Sequence, residues 1–275
     1  MVIHNNWFRL VLYFIFWIVC SIPFYILIFK LFPSAFNGSK ADYTLLLENN
    51  LIFLAVNQVA SVCGIFLATY LMVKTIEKRN LRDIKLTINF FGLLKGLLLG
   101  SSLIIAFALV AQMIGIVNFN YVTISSKVIF SFFLYLLVAV GEEIVVRGYI
   151  LNNLREKLND YSAILISSLV FALFHFFNDH VTVIGFLNIS LSGVLMGTVL
   201  VKSNTISDPI GLHWAWNFMQ GSVLGFNVSG HYEKGIFNVT PLASTILTGG
   251  NFGAEGSLVL IPITVFAIYL VWKFL

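Results

Sequence analysis

The sequence predicts an all-α protein, a polytopic transmembrane helical bundle of about eight spans, and three observations lead there. Hydrophobic residues make up 59% of the 275, charged residues only 10%, and mean hydropathy is +0.94, whereas a soluble domain carries roughly 25% charged residues. The apolar residues gather into segments close to the ~20 residues a helix needs to cross a hydrocarbon core. Basic residues concentrate in alternate connections, as the positive-inside rule requires of a multi-pass protein.

The segments run at approximately 7–31, 49–73, 90–117, 127–150, 161–178, 181–201, 206–226 and 257–274. The first, Trp7 to Leu31, is longer than the roughly 7–15 apolar residues of a cleaved signal and has no Ala-x-Ala site after it, so it is expected to stay as an anchor. The second leads into a basic connection holding Lys74, Lys78, Arg79, Arg82, Lys85 and Lys95. The third begins with Gly92-x-x-x-Gly96-x-x-x-Gly100, and Gly193-x-x-x-Gly197 and Gly221-x-x-x-Gly225 recur in the sixth and seventh. That spacing suits close helix contacts within one bundle. The fourth and fifth form a hairpin whose turn is marked by Asn159 and Asp160, residue types that favour turns and helix N-caps. The eighth follows the longest polar stretch, Asn227 to Gly256. No second domain, repeat or low-complexity tract interrupts residues 1–275.

With eight alternating spans, Arg9, Arg147, Arg155, Lys157, Lys202 and Lys273 fall on the side of the basic connection. Lys30, Lys40, Lys127 and Lys234 fall on the other, a division of twelve to four. Both termini are therefore expected in the cytoplasm. The net charge of +4 is mostly topological, and the partner it implies is the anionic lipid surface rather than nucleic acid. Cys20 and Cys63 both sit within spans, which suggests packing rather than a disulfide or a cysteine zinc site.

Against this apolar background one group of residues is costly. Ile129 to Val140 carries no charge, and it runs directly into Gly141-Glu142-Glu143-Ile144-Val145-Val146-Arg147. Ionisable side chains at membrane depth mark functional sites by default. Two further apolar segments carry a histidine each: His175, four residues after Phe171, and His213, four residues before Asn217. Counted from the Asn159 turn, Glu142 and His175 lie at about equal height, so a contact between them is plausible. Adjacent helix positions differ by about 100°, so Glu142 and Glu143 are not expected to face the same partner. Glu143 stands four residues before Arg147, the favourable acid-first spacing for a helix ion pair. This assigns Glu143 to Arg147 and Glu142 to the site. His213 and Asn217 share a helix face and could donate to a developing oxyanion. Asn178 and Asp179 could orient the ring of His175, or cap the helix end.

Glu142-Glu143-x-x-x-Arg147, Phe171-x-x-x-His175 and His213-x-x-x-Asn217, in that order on separate apolar segments, resemble the CAAX protease and bacteriocin-processing family of intramembrane endopeptidases, also called the Abi family, which includes the type II CAAX prenyl endopeptidases. The resemblance covers a core from about 127 to 226, with a weaker likeness from Thr248 to Gly256. It implies hydrolysis of a peptide bond of a membrane-associated peptide or protein, and a role in bacteriocin immunity or peptide maturation. Glu142 and His175 would activate a water, while His213 and Asn217 would stabilise the oxyanion. Glu143, Arg147 and Phe171 would be structural support.

Glu142, His175 and His213 could instead supply the ligands of a catalytic zinc, but the His-Glu-x-x-His helix motif is absent, and the metal-free reading is preferred. The short loops suit a bacterial plasma membrane. Two other classes compete: a transporter, whose expected inverted repeat is not evident, and a non-catalytic scaffold or immunity protein in which the polar cluster only specifies packing.

Overall fold

The computed structural model describes residues 5–33, 43, 46–47 and 50–275. Lys40 and residue 49, the expected start of the second segment, lie outside the described residues. Polar caps open most of the helices, because the first N–H groups of a helix need acceptors that an apolar surrounding cannot give. Helix α1 (Asn6–Leu31) starts at Asn5, whose side chain accepts from the N–H groups of Trp7 and Phe8. Asn50 caps α2 (Leu51–Leu71), which continues as a π turn (Met72–Ile76). Asn89 caps α3 (Phe90–Met113). Helix α4 (Ser126–Glu143) passes through a π-helical stretch (Ile144–Leu151) into α5 (Asn152–Arg155). Asn159 caps α6 (Asp160–Phe174) as its turn chemistry predicts, and Thr182 caps α7 (Val183–Ser203). Helix α8 (Ser207–Asn217) runs into a π-helical stretch (Phe218–Val223). A short α9 (Thr245–Thr248) precedes α10 (Leu260–Phe274).

A helix stands where each of the eight segments was expected, but the count of eight spans is not reproduced by length. Among the described residues five helices are long and apolar enough to cross a membrane: Asn6–Leu31, Leu51–Ile76, Phe90–Met113, Lys127–Arg155 and Val183–Ser203. Helices α6 and α10 have 15 residues each, about 22 Å at ~1.5 Å per residue, short of a ~30 Å hydrocarbon core. The chain is also not purely helical. Gly115, at φ +74°, ends the third segment early, and β1 (Val117–Tyr121) pairs antiparallel with β2 (Phe237–Pro241), Phe119 opposite Val239. Both strands alternate apolar and polar residues with the period of two that a ribbon needs.

The helices alternate in direction. Arg9 at the start of α1 pairs with Glu156 just beyond α5 at 2.8 Å. Trp272 near the end of α10 packs at a tilt against Tyr161 at the start of α6, ring centroids 4.7 Å apart. The start of α1 and the end of α10 therefore share one face, with the β-ribbon at the other. Large apolar side chains such as Ile18, Phe133 and Leu165 are exposed on the outside, the surface that lipid rather than water would cover.

The tightest helix contact explains the glycines of α3. A Cβ at Gly96 would overlap the carbonyl oxygen of Asp208, and one at Gly211 would overlap that of Leu93. Only hydrogen at these positions lets the backbones of α3 and α8 touch. Gly193 and Gly197 face Ser168 and Ile164 of α6, so these spacings serve packing inside the bundle.

Candidate active site

The 29-residue helix from Lys127 to Arg155 places Glu142 and Glu143 near its middle. Helix α6 is short and ends at Phe174, so its C-cap, His175, meets Glu142 instead of emerging at the surface. Helix α8 brings His213 from the third side. Glu142 Oε2 lies 3.8 Å from Nε2 of His175 and 3.8 Å from Nε2 of His213. These separations are ion-pair range but longer than direct hydrogen bonds, as is common before a reactant closes a site. Glu142 Oε2 is buried and has no hydrogen-bond partner among the described residues.

Glu143 pairs with Arg147 at 3.0 Å, both fully buried, as the four-residue spacing predicts. The expectation that the two glutamates address different partners needs correcting. Glu143 Oε1 is also 2.9 Å from Nδ1 of His213, so both carboxylates reach one imidazole, from opposite ring edges. The 100° between adjacent positions limits which side chains can reach the same point; a ring with two nitrogens on opposite edges escapes that limit. Arg147 donates further to the Gly193 carbonyl at 3.2 Å and lies 4.3 Å above the Phe171 ring, a cation–π contact. The edge of Phe171 meets both histidines, with ring centroids 4.7 Å from His175 and 5.9 Å from His213. Phe171 is therefore the packing hub that spaces the two imidazoles.

The partners fix the tautomers. His175 Nδ1 faces the Phe171 carbonyl at 2.9 Å, and a carbonyl only accepts, so Nδ1 carries the proton. Neither Asn178 nor Asp179 hydrogen-bonds to this ring among the described residues: the Asn178 amide donates instead to the Ser229 carbonyl. His213 Nδ1 faces a carboxylate that already holds Arg147, so it too carries a proton. In each ring Nε2 then faces Glu142.

This geometry revises the oxyanion expectation for His213. A neutral ring protonated at Nδ1 cannot donate from Nε2; an imidazolium can, with Glu143 beside it to stabilise the charge. Asn217 is buried one helical turn beyond His213. Its side chain forms no hydrogen bond with the other site residues, so the structure does not join it directly to the cluster. The α4 and α8 helices each change to π geometry immediately after the motif residue, at Ile144 and at Phe218, a local distortion common at functional sites. Asn152 supports the first of these, its amide lying 2.8 Å from the Arg147 carbonyl and 3.1 Å from that of Gly148. Hydrophobic patterning carries no signal for these π segments.

Tetrahedral ligands at ~2.0–2.1 Å from zinc stand about 3.3 Å apart, closer than the 3.8 Å from Glu142 to each histidine. Among the described residues no group of three or more His, Cys, Asp or Glu side chains is arranged to hold a metal ion. As placed, these residues do not fit the metal.

Residues 123–219 match the family model of type II CAAX prenyl endopeptidase Rce1-like proteins. The matched segment contains Glu142, Glu143, Arg147, Phe171, His175, His213 and Asn217. No curated protein matches the chain significantly.

Proposed function

We propose that this chain, a member of the Rce1-like CAAX protease family, is an intramembrane endopeptidase in which Glu142 is the general base. The observation that carries the reading is the convergence of Glu142 Oε2 with two imidazole Nε2 atoms, 3.8 Å from each, in the interior of an apolar bundle. In the reaction, Glu142 takes a proton from water oriented by His175, and the water oxygen bonds to the scissile carbonyl carbon. His213, as imidazolium held by Glu143, and Asn217 donate to the oxyanion. The C–N bond then breaks, and the proton held by Glu142 passes to the leaving amine. One oxyanion donor is worth on the order of 10² to 10³ in rate.

The substrate is a membrane-associated peptide or protein, with bacteriocin immunity or peptide maturation as the corresponding roles. The charge distribution supports an integral membrane protein with both termini cytoplasmic, and the short loops suit a bacterial plasma membrane. The spacing of the three candidate ligands supports a reaction without metal. Elemental analysis and cleavage rate measured on one purified preparation test that point. Zinc far below one per molecule with full activity is expected. Near one zinc per active molecule, with activity rising and falling with occupancy, would overturn the metal-free route.

A further inference from the structure

The polar stretch after α8 lies outside the matched segment, yet it sends a carboxylate into the protein interior. Glu255 is 1% exposed and forms no salt bridge among the described residues. Its Oε2 accepts from the Gln220 amide and from the backbone N–H of Ser229 at 3.4 Å, and its Oε1 is 3.4 Å from the Ser229 hydroxyl. Gln220 Nε2 also donates to the Asn227 carbonyl at 2.7 Å. A backbone carbonyl can only accept, so this contact fixes the amide with nitrogen toward Glu255. Oε2 thus faces two donors. Burial pushes the Glu255 carboxyl above its ordinary range, while the hydrogen bonds from Gln220 and Ser229 and the charge of His175 act the other way.

The same loop is joined to the turn that carries His175. The Ser229 carbonyl accepts from Asn178 at 2.9 Å, and the Asn178 N–H donates to the His175 carbonyl at 3.1 Å. Gly230, at φ +90°, approaches so closely that a Cβ would overlap the Asp179 carbonyl oxygen. From the other side α7 fixes the acidic loop: Asn188 donates to the carbonyls of Glu255 and Ser257 at 2.7 and 2.8 Å. A neutral residue could fill this space without the cost of burying a charge.

We propose that Glu255 is a positioning residue of the active site: through Ser229 and Asn178 it holds the His175 turn so that Nδ1 stays on the Phe171 carbonyl and Nε2 stays toward Glu142. The term active site rests on the protease reading; the positional claim does not. The test is the ¹⁵N spectrum of histidine-labelled protein in detergent micelles, comparing the native chain with Glu255→Gln, Glu255→Asp and Ser229→Ala. The ring signals of His175 and His213 are assigned with His175→Gln and His213→Gln. In Glu255→Gln the melting temperature is expected to stay near native while the His175 signals leave the Nδ1–H tautomer and those of His213 hold. Glu255→Asp should restore the His175 signals. Unchanged His175 signals in folded Glu255→Gln would overturn the proposal, as would both histidines shifting together with a fall in melting temperature. If Glu255→Gln does not fold, Ser229→Ala decides: a smaller shift of His175 in the same sense supports the role, and none refutes it. No substrate enters this measurement, so its failure is separate from a failure to find proteolysis.

Discussion

Glu143 has two partners, and only one is visible in the sequence. Its pairing with Arg147 follows from a four-residue spacing on one helix, whereas its contact with His213 at 2.9 Å spans 70 residues and needs the packed bundle. The histidines and Glu142 stand out in the sequence as polar residues in apolar runs; which ring atom meets which carboxylate does not. The two glutamates should therefore fail differently. Glu142→Gln is expected to stop cleavage while thermal stability stays close to native, since Glu142 holds no direct hydrogen bond to histidine. Glu143→Gln should lower stability by roughly 3–5 kcal/mol, because it leaves the buried Arg147 charge without its counter-ion, and should slow cleavage as His213 loses its orienting acceptor. Thermal melts paired with cleavage rates check both. Equal stability for the two variants, with cleavage lost only in Glu143→Gln, would invert the assignment.

At the scale of elements, the helical segments are legible because burial in an apolar medium demands long uncharged runs with polar caps. Asn159 as an N-cap and the glycine spacing of α3 are both readable, the former from its side-chain acceptor, the latter from its period of four. The β-ribbon is not picked out, because residues 117–121 adjoin an apolar run that hides the break at Gly115. The π stretches after Glu143 and Asn217 are also missed: they depend on carbonyls being satisfied from elsewhere, as by Asn152. The α3–α8 contact carries the clearest consequence for function, because α8 holds His213. Gly96→Leu places a branched side chain against the Asp208 backbone, where relief requires α8 to move. Overpacking of this kind costs about 1–3 kcal/mol or more, and cleavage should fall further than the melting temperature alone accounts for. Native activity in a folded Gly96→Leu protein would show that the helix contact does not set the position of His213.

For the whole molecule, composition and charge asymmetry predict the topology, while the short α6 and α10 show why counting apolar runs overstates the helices able to span alone. The topology has its own test. With Cys20 and Cys63 replaced, a cysteine at exposed Tyr232 should react with an impermeant thiol reagent in intact cells, and one at exposed Arg82 should react only after lysis. The reverse pattern would turn the bundle over. If Glu142 and the two histidines hydrolyse peptide bonds in the membrane, comparative peptidomics of membranes from cells grown in ¹⁸O water detects the products. Membranes holding the native chain are set against membranes holding equal amounts of Glu142→Gln. Peptides whose new C-termini carry ¹⁸O are expected in the native sample and not in the variant; identical peptide sets, with the two proteins equally abundant and folded, would rule out hydrolysis by Glu142.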